Sequence, residues 1–205
     1  DDVYLVAYGH STTNTDSDII TVRVDDGSIQ EVIDKLRYET GTCEDVDLVH
    51  MGGEIFALVY RGPNNDGFLK TFNISSDGDI VGLIETLEYE ASLDADQNDL
   101  AVVSDDLLAV VYDDNSDDGR LEVINITKGD IIGTTDTLEF DTSDGRAPDI
   151  INVTGNLFSI VYDGTNNDGW MKTFNIYSNG TIGNQLDSFE FDTTNSQFPE
   201  QIMLS

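Results

Sequence analysis

The sequence predicts an all-β fold, a four-bladed β-propeller with four antiparallel strands in each blade, and three observations carry that expectation. Four apolar runs end in tyrosine: Leu5-Val6-Ala7-Tyr8, Ala57-Leu58-Val59-Tyr60, Ala109-Val110-Val111-Tyr112 and Ser159-Ile160-Val161-Tyr162. Those tyrosines stand 52, 52 and 50 residues apart. An Asp-Gly turn follows each of the last three runs, at Asp66-Gly67, Asp118-Gly119 and Asp168-Gly169. Residues 60–74 and 162–176 agree at 11 of 15 positions, which makes the period a true repeat. Four short strands recurring every 40–50 residues or so is the pattern of a propeller blade.

Each repeat lays down its strands in a fixed order. The first is of the type Asp149-Ile150-Ile151-Asn152-Val153, the second is the run ending in tyrosine, and the third is like Lys172-Thr173-Phe174-Asn175-Ile176. A second turn follows, at Asp26-Gly27, Asp77-Gly78, Lys128-Gly129 or Asn179-Gly180. The fourth strand then ends in Leu36-Arg37-Tyr38-Glu39 or its counterparts at 87–90, 138–141 and 189–192. Glycine beside Asn or Asp accepts positive φ at low cost, so these turns mark hairpins. The second strand is apolar on consecutive residues, as a strand covered on both faces must be. Only Ile29–Leu36 has a helix-like spacing, and the repeat assigns it to strand. The repeats run over 1–44, 45–96, 97–146 and 147–198, within one domain. The chain opens on a second strand, with Asp1-Asp2-Val3-Tyr4 reading as a processed or excised start, and finishes on a lone first strand, 199–204, matching 148–153. That last strand is expected to pair beside residues 3–8 and close the first blade, or else to complete a blade of another copy.

With those residues in view, the repeats resemble those of β-propeller repeat proteins over nearly the whole chain. They look most similar to propeller repeats of prokaryotic, archaeal-type secreted and surface proteins. The stretch Gly52-Gly53-Glu54-Ile55-Phe56-Ala57-Leu58-Val59 is similar to the start of a kelch repeat. Blades three and four carry Ser104-Asp105-Asp106 and Thr154-Gly155-Asn156 in place of the diglycine, and no Trp-Asp dipeptide closes any blade. The resemblance implies a propeller fold and an extracellular or cell-surface location.

Charge narrows the partners. Asp and Glu number 41 against 9 Lys and Arg, a net charge of −32. Nucleic-acid phosphates and anionic membranes repel such a chain, and no apolar run reaches the length of a membrane span, so neither nucleic acid nor membrane insertion is expected. The 39% of apolar residues, gathered in β-type runs, exclude a disordered acidic tail. A folded chain of this mass exposes about 9,500 Å², which spaces the net charges about 17 Å apart. That exceeds the Debye length at physiological salt, about 8 Å, so the repulsion is tolerable without high salinity. Cys43 is the sole cysteine, so no intrachain disulfide forms.

Four sets of residues are candidates for function. Calcium takes six to eight hard oxygen ligands, and two acidic loops offer them: Asn14, Asp16 and Asp18 in the first blade, and Asp114, Ser116 and Asp118 in the third. The same residues also suit plain hairpin turns. Phe68 and Trp170 follow Asp-Gly turns, where an aromatic ring can stack on a sugar or anchor a partner, or simply cover the hairpin stem. Asn179, Asn73, Asn125 and Asn152 head glycosylation sequons, Asn179 on a turn and the others on strands. Only His10 and His50 could serve as imidazole bases, and the near-symmetry of the repeats argues against one asymmetric active site. The expectation is therefore a non-catalytic structural or interaction module that needs no cofactor. Its partners would be copies of itself, another surface protein or a glycan, joined through the terminal strand or the blade rims. The alternative is a Ca²⁺-dependent, carbohydrate-binding propeller. A glycosidase or lyase stands behind both, because it would need two converging carboxylates in one pocket.

Overall fold

Apolar residues at consecutive positions can all be buried only if the strand has a neighbour on each face, and the computed structural model shows what those neighbours are. It describes residues 2–10 and 16–204. Among these residues fifteen strands form four antiparallel sheets, each a simple meander. The first contains β1 (Asp2–Tyr8), β2 (Ser17–Asp25) and β3 (Ser28–Glu39). The second contains β4 (Glu44–Gly52), β5 (Ile55–Arg61), β6 (Gly67–Ile74) and β7 (Ile80–Glu90). The third contains β8 (Asp96–Ser104), β9 (Leu107–Asp113), β10 (Gly119–Thr127) and β11 (Asp130–Asp141). The fourth contains β12 (Arg146–Thr154), β13 (Leu157–Asp163), β14 (Gly169–Ile176) and β15 (Ile182–Asp192). The all-β, four-bladed arrangement is as expected, and the helix-like stretch 29–36 is strand. In β9 all seven residues are buried.

Apolar clusters fill the spaces between successive blades. Leu58, Tyr60, Phe72 and Ile74 of blade two meet Ile19 and Tyr38 of blade one. Leu108, Val110, Ile124 and Ile126 of blade three meet Ala57, Val59 and Leu69 of blade two. Phe158, Ile160, Phe174 and Ile176 of blade four meet Ala109, Val111 and Val123 of blade three. Each blade thus has one face for its predecessor and another for its successor.

Polar groups repeat the same logic. A carboxylate of each outer strand accepts a backbone N–H from the next blade: Ile80 to Asp34 at 2.9 Å, Ile131 to Glu85 at 2.6 Å and Ile182 to Asp136 at 2.8 Å. A threonine hydroxyl donates to a turn carbonyl of the next blade, Thr21 to Gly78, Thr71 to Gly129 and Thr135 to Gly180. Two of the tyrosines closing a second strand donate backwards, Tyr60 to Glu39 at 2.8 Å and Tyr162 to Asp141 at 2.8 Å, whereas Tyr112 donates within its own blade to Glu122 at 2.8 Å, with Glu90 at 3.4 Å. These bonds satisfy groups that burial would otherwise leave unpaired, at a cost of about 1–3 kcal/mol each.

The terminal strand differs from the expectation. The first blade has three strands, and residues 199–204 form no ladder with β1. Gln201 explains where they go. It occupies the position of Leu48, Leu100 and Ile150 in the other blades, and its amide is not apolar. Its Nε2 donates to the carbonyls of Asp149 (2.8 Å) and Ser159 (3.0 Å), and its Oε1 accepts from the Ser159 hydroxyl (2.5 Å). The segment is therefore held against blade four. Close stacking runs from blade one to two, two to three and three to four, and no stacking of that extent joins four to one among the described residues.

Candidate functional site

The innermost strands of blades two, three and four each open with a β-bulge. Register slips between Glu44 and Asp47, between Asp96 and Asp99, and between Arg146 and Asp149. A residue in each bulge takes positive φ: Asp45 at 51°, Gln97 at 54° and Ala147 at 47°, and Phe198 repeats it at 51° in the last segment. A bulge bends its strand and re-aims the side chains after it. Here the three bulges and the last segment bring Asp47, Asp99, Asp149 and Glu200 to one axial pocket of about 280 Å³, bordered by Pro148 and Phe198.

These carboxylates also tie the blades together. Asp47 accepts the N–H of Leu100 at 3.3 Å, and Asp99 accepts that of Ile150 at 2.7 Å. The Gln201 side chain donates to the main-chain carbonyl of Asp149 at 2.8 Å. Asp99 also shares a hydrogen bond with Asp47. Burial first, and that bond second, push the Asp99 carboxyl up to about 8, against the lowering effect of the Ile150 amide. The Asp47–Asp99 pair, rather than either residue alone, thus retains a proton up to about 8. Burial raises Asp149 too, and one of its oxygens is buried without a partner. One cation braces the rim: Arg61 donates to Asp96 at 2.5 Å, pairs with Glu44 and lies 3.5 Å from Asp45.

The pocket therefore presents hydrogen-bond acceptors, one acidic proton and the Phe198 ring, which is 68% exposed. Such a set suits hydroxyl groups on a compact ring. Its negative charge repels phosphates and other anions.

Similar folds appear among solved structures. A candidate 6-phosphogluconolactonase from Bacteroides fragilis aligns with a TM-score of 0.64 at 14% identity, over 95% of this chain and 55% of its own. Sqt1 from Chaetomium thermophilum aligns at 0.54 and 14% identity, over 88% and 42%. A variant of the Aleuria aurantia lectin bound to Fucα1-6GlcNAc aligns at 0.53 and 9% identity, over 90% and 57%. The fold is that of a β-propeller. The chain spans about half the length of these proteins. No protein-family model matches it. No curated protein matches it either.

One expectation is corrected. The chain was expected to be non-catalytic, but its fold is shared with a candidate lactonase, so the architecture supplies no ground for excluding an enzyme. The argument from repeat symmetry fails at the pocket itself. Asp47, Asp99 and Asp149 occupy equivalent positions, yet Asp47 and Asp99 are coupled to each other while Asp149 faces Gln201. Asp47 and Asp99 share a hydrogen bond, which sets them closer than the about 5–9.5 Å kept between the two carboxyl groups of most glycosidases.

The predicted site residues lie elsewhere. Asn14 falls outside the described residues. Asp16 pairs with Arg37, and the buried Asp18 accepts from Tyr8 (2.9 Å) and lies 2.7 Å from the Lys35 ammonium. Burial works to raise the Asp18 carboxyl, but Lys35 and Tyr8 hold it below its ordinary value. Asp114 is buried and committed twice, to the amides of Ser116 and Asp118 and to the Arg120 guanidinium at 2.6 and 2.8 Å. Ser116 is exposed on that turn, and Asp118 lies 4.0 Å from Arg120. No group of three or more acidic, His or Cys side chains is arranged to hold a metal among the described residues. Phe68 stacks on Tyr60 at 5.3 Å and covers Gly62, and Trp170 covers Gly164, so both rings lie over hairpin stems. Trp170 also lines a rim pocket of about 370 Å³ with Asp141 and Lys172. Asn179 is exposed on its turn and accepts the Thr181 amide at 3.1 Å. Asn73, Asn125 and Asn152 are half-buried on β6, β10 and β12.

The axial carboxylates were not among the sequence candidates. Their signal was the repeat period itself: an acid followed by Leu, Leu, Ile and Gln at 47, 99, 149 and 200. In so acidic a chain, an acid gains meaning only when its period is counted.

Proposed function

We propose that this chain recognises an uncharged polyhydroxylated ligand, a carbohydrate, at its axial pocket, in an extracellular or cell-surface setting. The observation that carries the reading is the row Asp47, Asp99 and Asp149, which surrounds the pocket beside the exposed Phe198 ring. Carboxylates accept hydrogen bonds from sugar hydroxyls, the proton of the Asp47–Asp99 pair can be donated to a ring or hydroxyl oxygen, and an aromatic face stacks on sugar C–H groups. At about 280 Å³ the pocket stands at the lower end of small-molecule sites, room for about one sugar ring. A phosphorylated sugar is disfavoured by the same carboxylates. The location rests on the resemblance to surface-protein repeats and on the solubility that a charge of −32 confers.

A second reading, sugar hydrolysis or lactone opening by the same residues, is favoured by the proton that Asp99 and Asp47 share. Two adjacent carboxyls that share one proton form the kind of dyad that acid–base hydrolysis can use. A glycan array followed by calorimetry at pH 7 tests binding. The expected result is millimolar to micromolar affinity for a neutral saccharide, weakened at least tenfold by Asp99→Asn and by Phe198→Ala. Aryl-glycoside and lactone hydrolysis assayed on the same samples tests the second reading. An array without a neutral-sugar signal, or binding untouched by both substitutions, overturns the proposal.

A further inference from the structure

Three blade junctions within the chain are built to one plan, and both halves of a fourth are present without being joined. The face of blade one that corresponds to the predecessor-facing side of the other blades is open. Val6 occupies the place of Leu58, Val110 and Ile160, and Tyr4, Val22 and Val24 continue the set. These residues line an apolar surface groove with Ile29 and Val32. Tyr4 is 52% and Ile29 78% exposed. The turn glycine of this blade, Gly27, faces open space, whereas Gly78, Gly129 and Gly180 each pack on the preceding blade.

Blade four has the matching successor-facing side, also open. Phe189 and Phe191 are 64% and 44% exposed, although Tyr38 and Phe140, the counterparts of Phe191, are buried. Each polar receptor of the other junctions recurs here with its usual partner absent. Asp187 corresponds to Asp34, Glu85 and Asp136 but, among the described residues, accepts from Ser188 in its own blade. Asp192 corresponds to Glu39, Glu90 and Asp141 but, among the described residues, accepts from Thr194 and Asn195 in its own loop. Thr173 corresponds to Thr71, which donates to a turn carbonyl of the next blade.

The final segment shows which way the series continues. Ser196 donates to the Asn167 carbonyl at 2.7 Å, as Ala95 does to Asn65 and Gly145 to Asp117 where a new blade begins. With Gln201 on Asp149, residues 196–201 follow the path of a fifth inner strand, while Ile202, Met203 and Leu204 remain exposed. Blade one meanwhile lacks that strand.

We infer that blade four receives blade one of a second copy of this chain, head to tail, with residues 201–204 of the first copy pairing along β1 of the second. Asp187 then accepts from the incoming Ile29 amide, and the Thr173 hydroxyl meets the Gly27 carbonyl. A second copy fits because the two open faces, with Phe189 and Phe191 on blade four and Tyr4 and Val6 on blade one, are the counterparts of faces that meet at each junction within the chain. A head-to-tail contact used twice closes a ring and leaves no open edge. This inference is independent of the axial ligand.

Sedimentation velocity from 1 to 200 µM, in 0.15 and 1 M NaCl, tests it. The expected result is a species of twice the 22.5 kDa chain mass, favoured by the higher salt because both copies are strongly acidic. Phe189→Asp and Val6→Asp, each on an exposed face, should weaken association at least tenfold, and an unchanged melting temperature of the dilute monomer shows that each variant is folded. Removing residues 202–205 should weaken it as well. A monomer throughout, whether from closure onto its own blade one or from a need for other blades, overturns the inference. So does a dimer indifferent to both Asp substitutions.

Discussion

Leu108→Ala should lower the stability of the dilute monomer by about 3 kcal/mol and its melting temperature by about 6–12 °C. Leu108 has no exposed surface and lies in the cluster between blades two and three, against Val59, Leu69 and Ile124. Two terms add. The removed methyl groups lose their transfer free energy, and the cavity persists because strands on both sides are fixed by ladders and by the Asp47 and Glu85 bonds to blade three. The control is Tyr4→Ala. Tyr4 and Leu108 occupy the same repeat position, since Tyr4 pairs with Val22 and Leu108 with Ile124. Tyr4 is half-exposed on the open face, so its loss should cost the dilute monomer less than about 1 kcal/mol. Thermal or urea melts of both variants, with equal losses, would show that the two junction faces are not covered as described.

That pair of positions also shows what could be read from the sequence. Val6-Ala7-Tyr8 and Val110-Val111-Tyr112 are alike as strings, and the period correctly gave both as second strands of a blade. Burial depends on what stands in front of the strand, and a local pattern does not contain its neighbour. The terminal strand was misread for a related reason. Residues 199–204 match 148–153 in hydropathy, but Gln201 replaces Ile150, and one amide able to satisfy Asp149 and Ser159 directs the segment to blade four. At the pocket, the period runs through Asp47, Asp99 and Asp149, but in so acidic a chain nothing in the sequence singles them out. Their difference comes from the Asp47–Asp99 hydrogen bond and from burial, both properties of the stacked blades. The acidic turn 114–118 has ligand-like spacing for calcium, yet Arg120, two residues beyond, folds back onto Asp114. Turn composition alone does not reveal that pairing.

Raising the pH from 5 to 8 should destabilise the chain by a few kcal/mol, and Asp113→Asn should remove much of that loss. Asp113 lies at the end of β9, 4% exposed, with one carboxylate oxygen buried and unpartnered. Burial first, then the charge of Asp96, push it up to about 8, against a lowering contact from the Ala147 amide. In the unfolded chain the same group titrates near 3.9. Between those values the folded chain binds the extra proton, so stability is greatest at the acid end of the window and falls as pH rises through about 8. Each unit of difference corresponds to about 1.4 kcal/mol, and local relaxation reduces the total to a few. Asp99 adds a contribution of the same sign. Glu39, Glu90 and Asp141 act in the opposite sense. Burial works to raise them, but backbone amides and hydroxyls, with Lys172 at Asp141, hold them below their ordinary values, so their stabilisation is lost as pH falls below about 4. The stability maximum should therefore lie near pH 5. Asn keeps the shape of Asp113 and cannot ionise, so the variant should melt higher than the parent at pH 8 and within about 1 kcal/mol of it at pH 5. Melting curves from pH 4 to 9 at constant ionic strength decide the matter. A parent profile flat between 5 and 8, or an Asp113→Asn profile parallel to it, would mean that Asp113 is ionised in the folded chain.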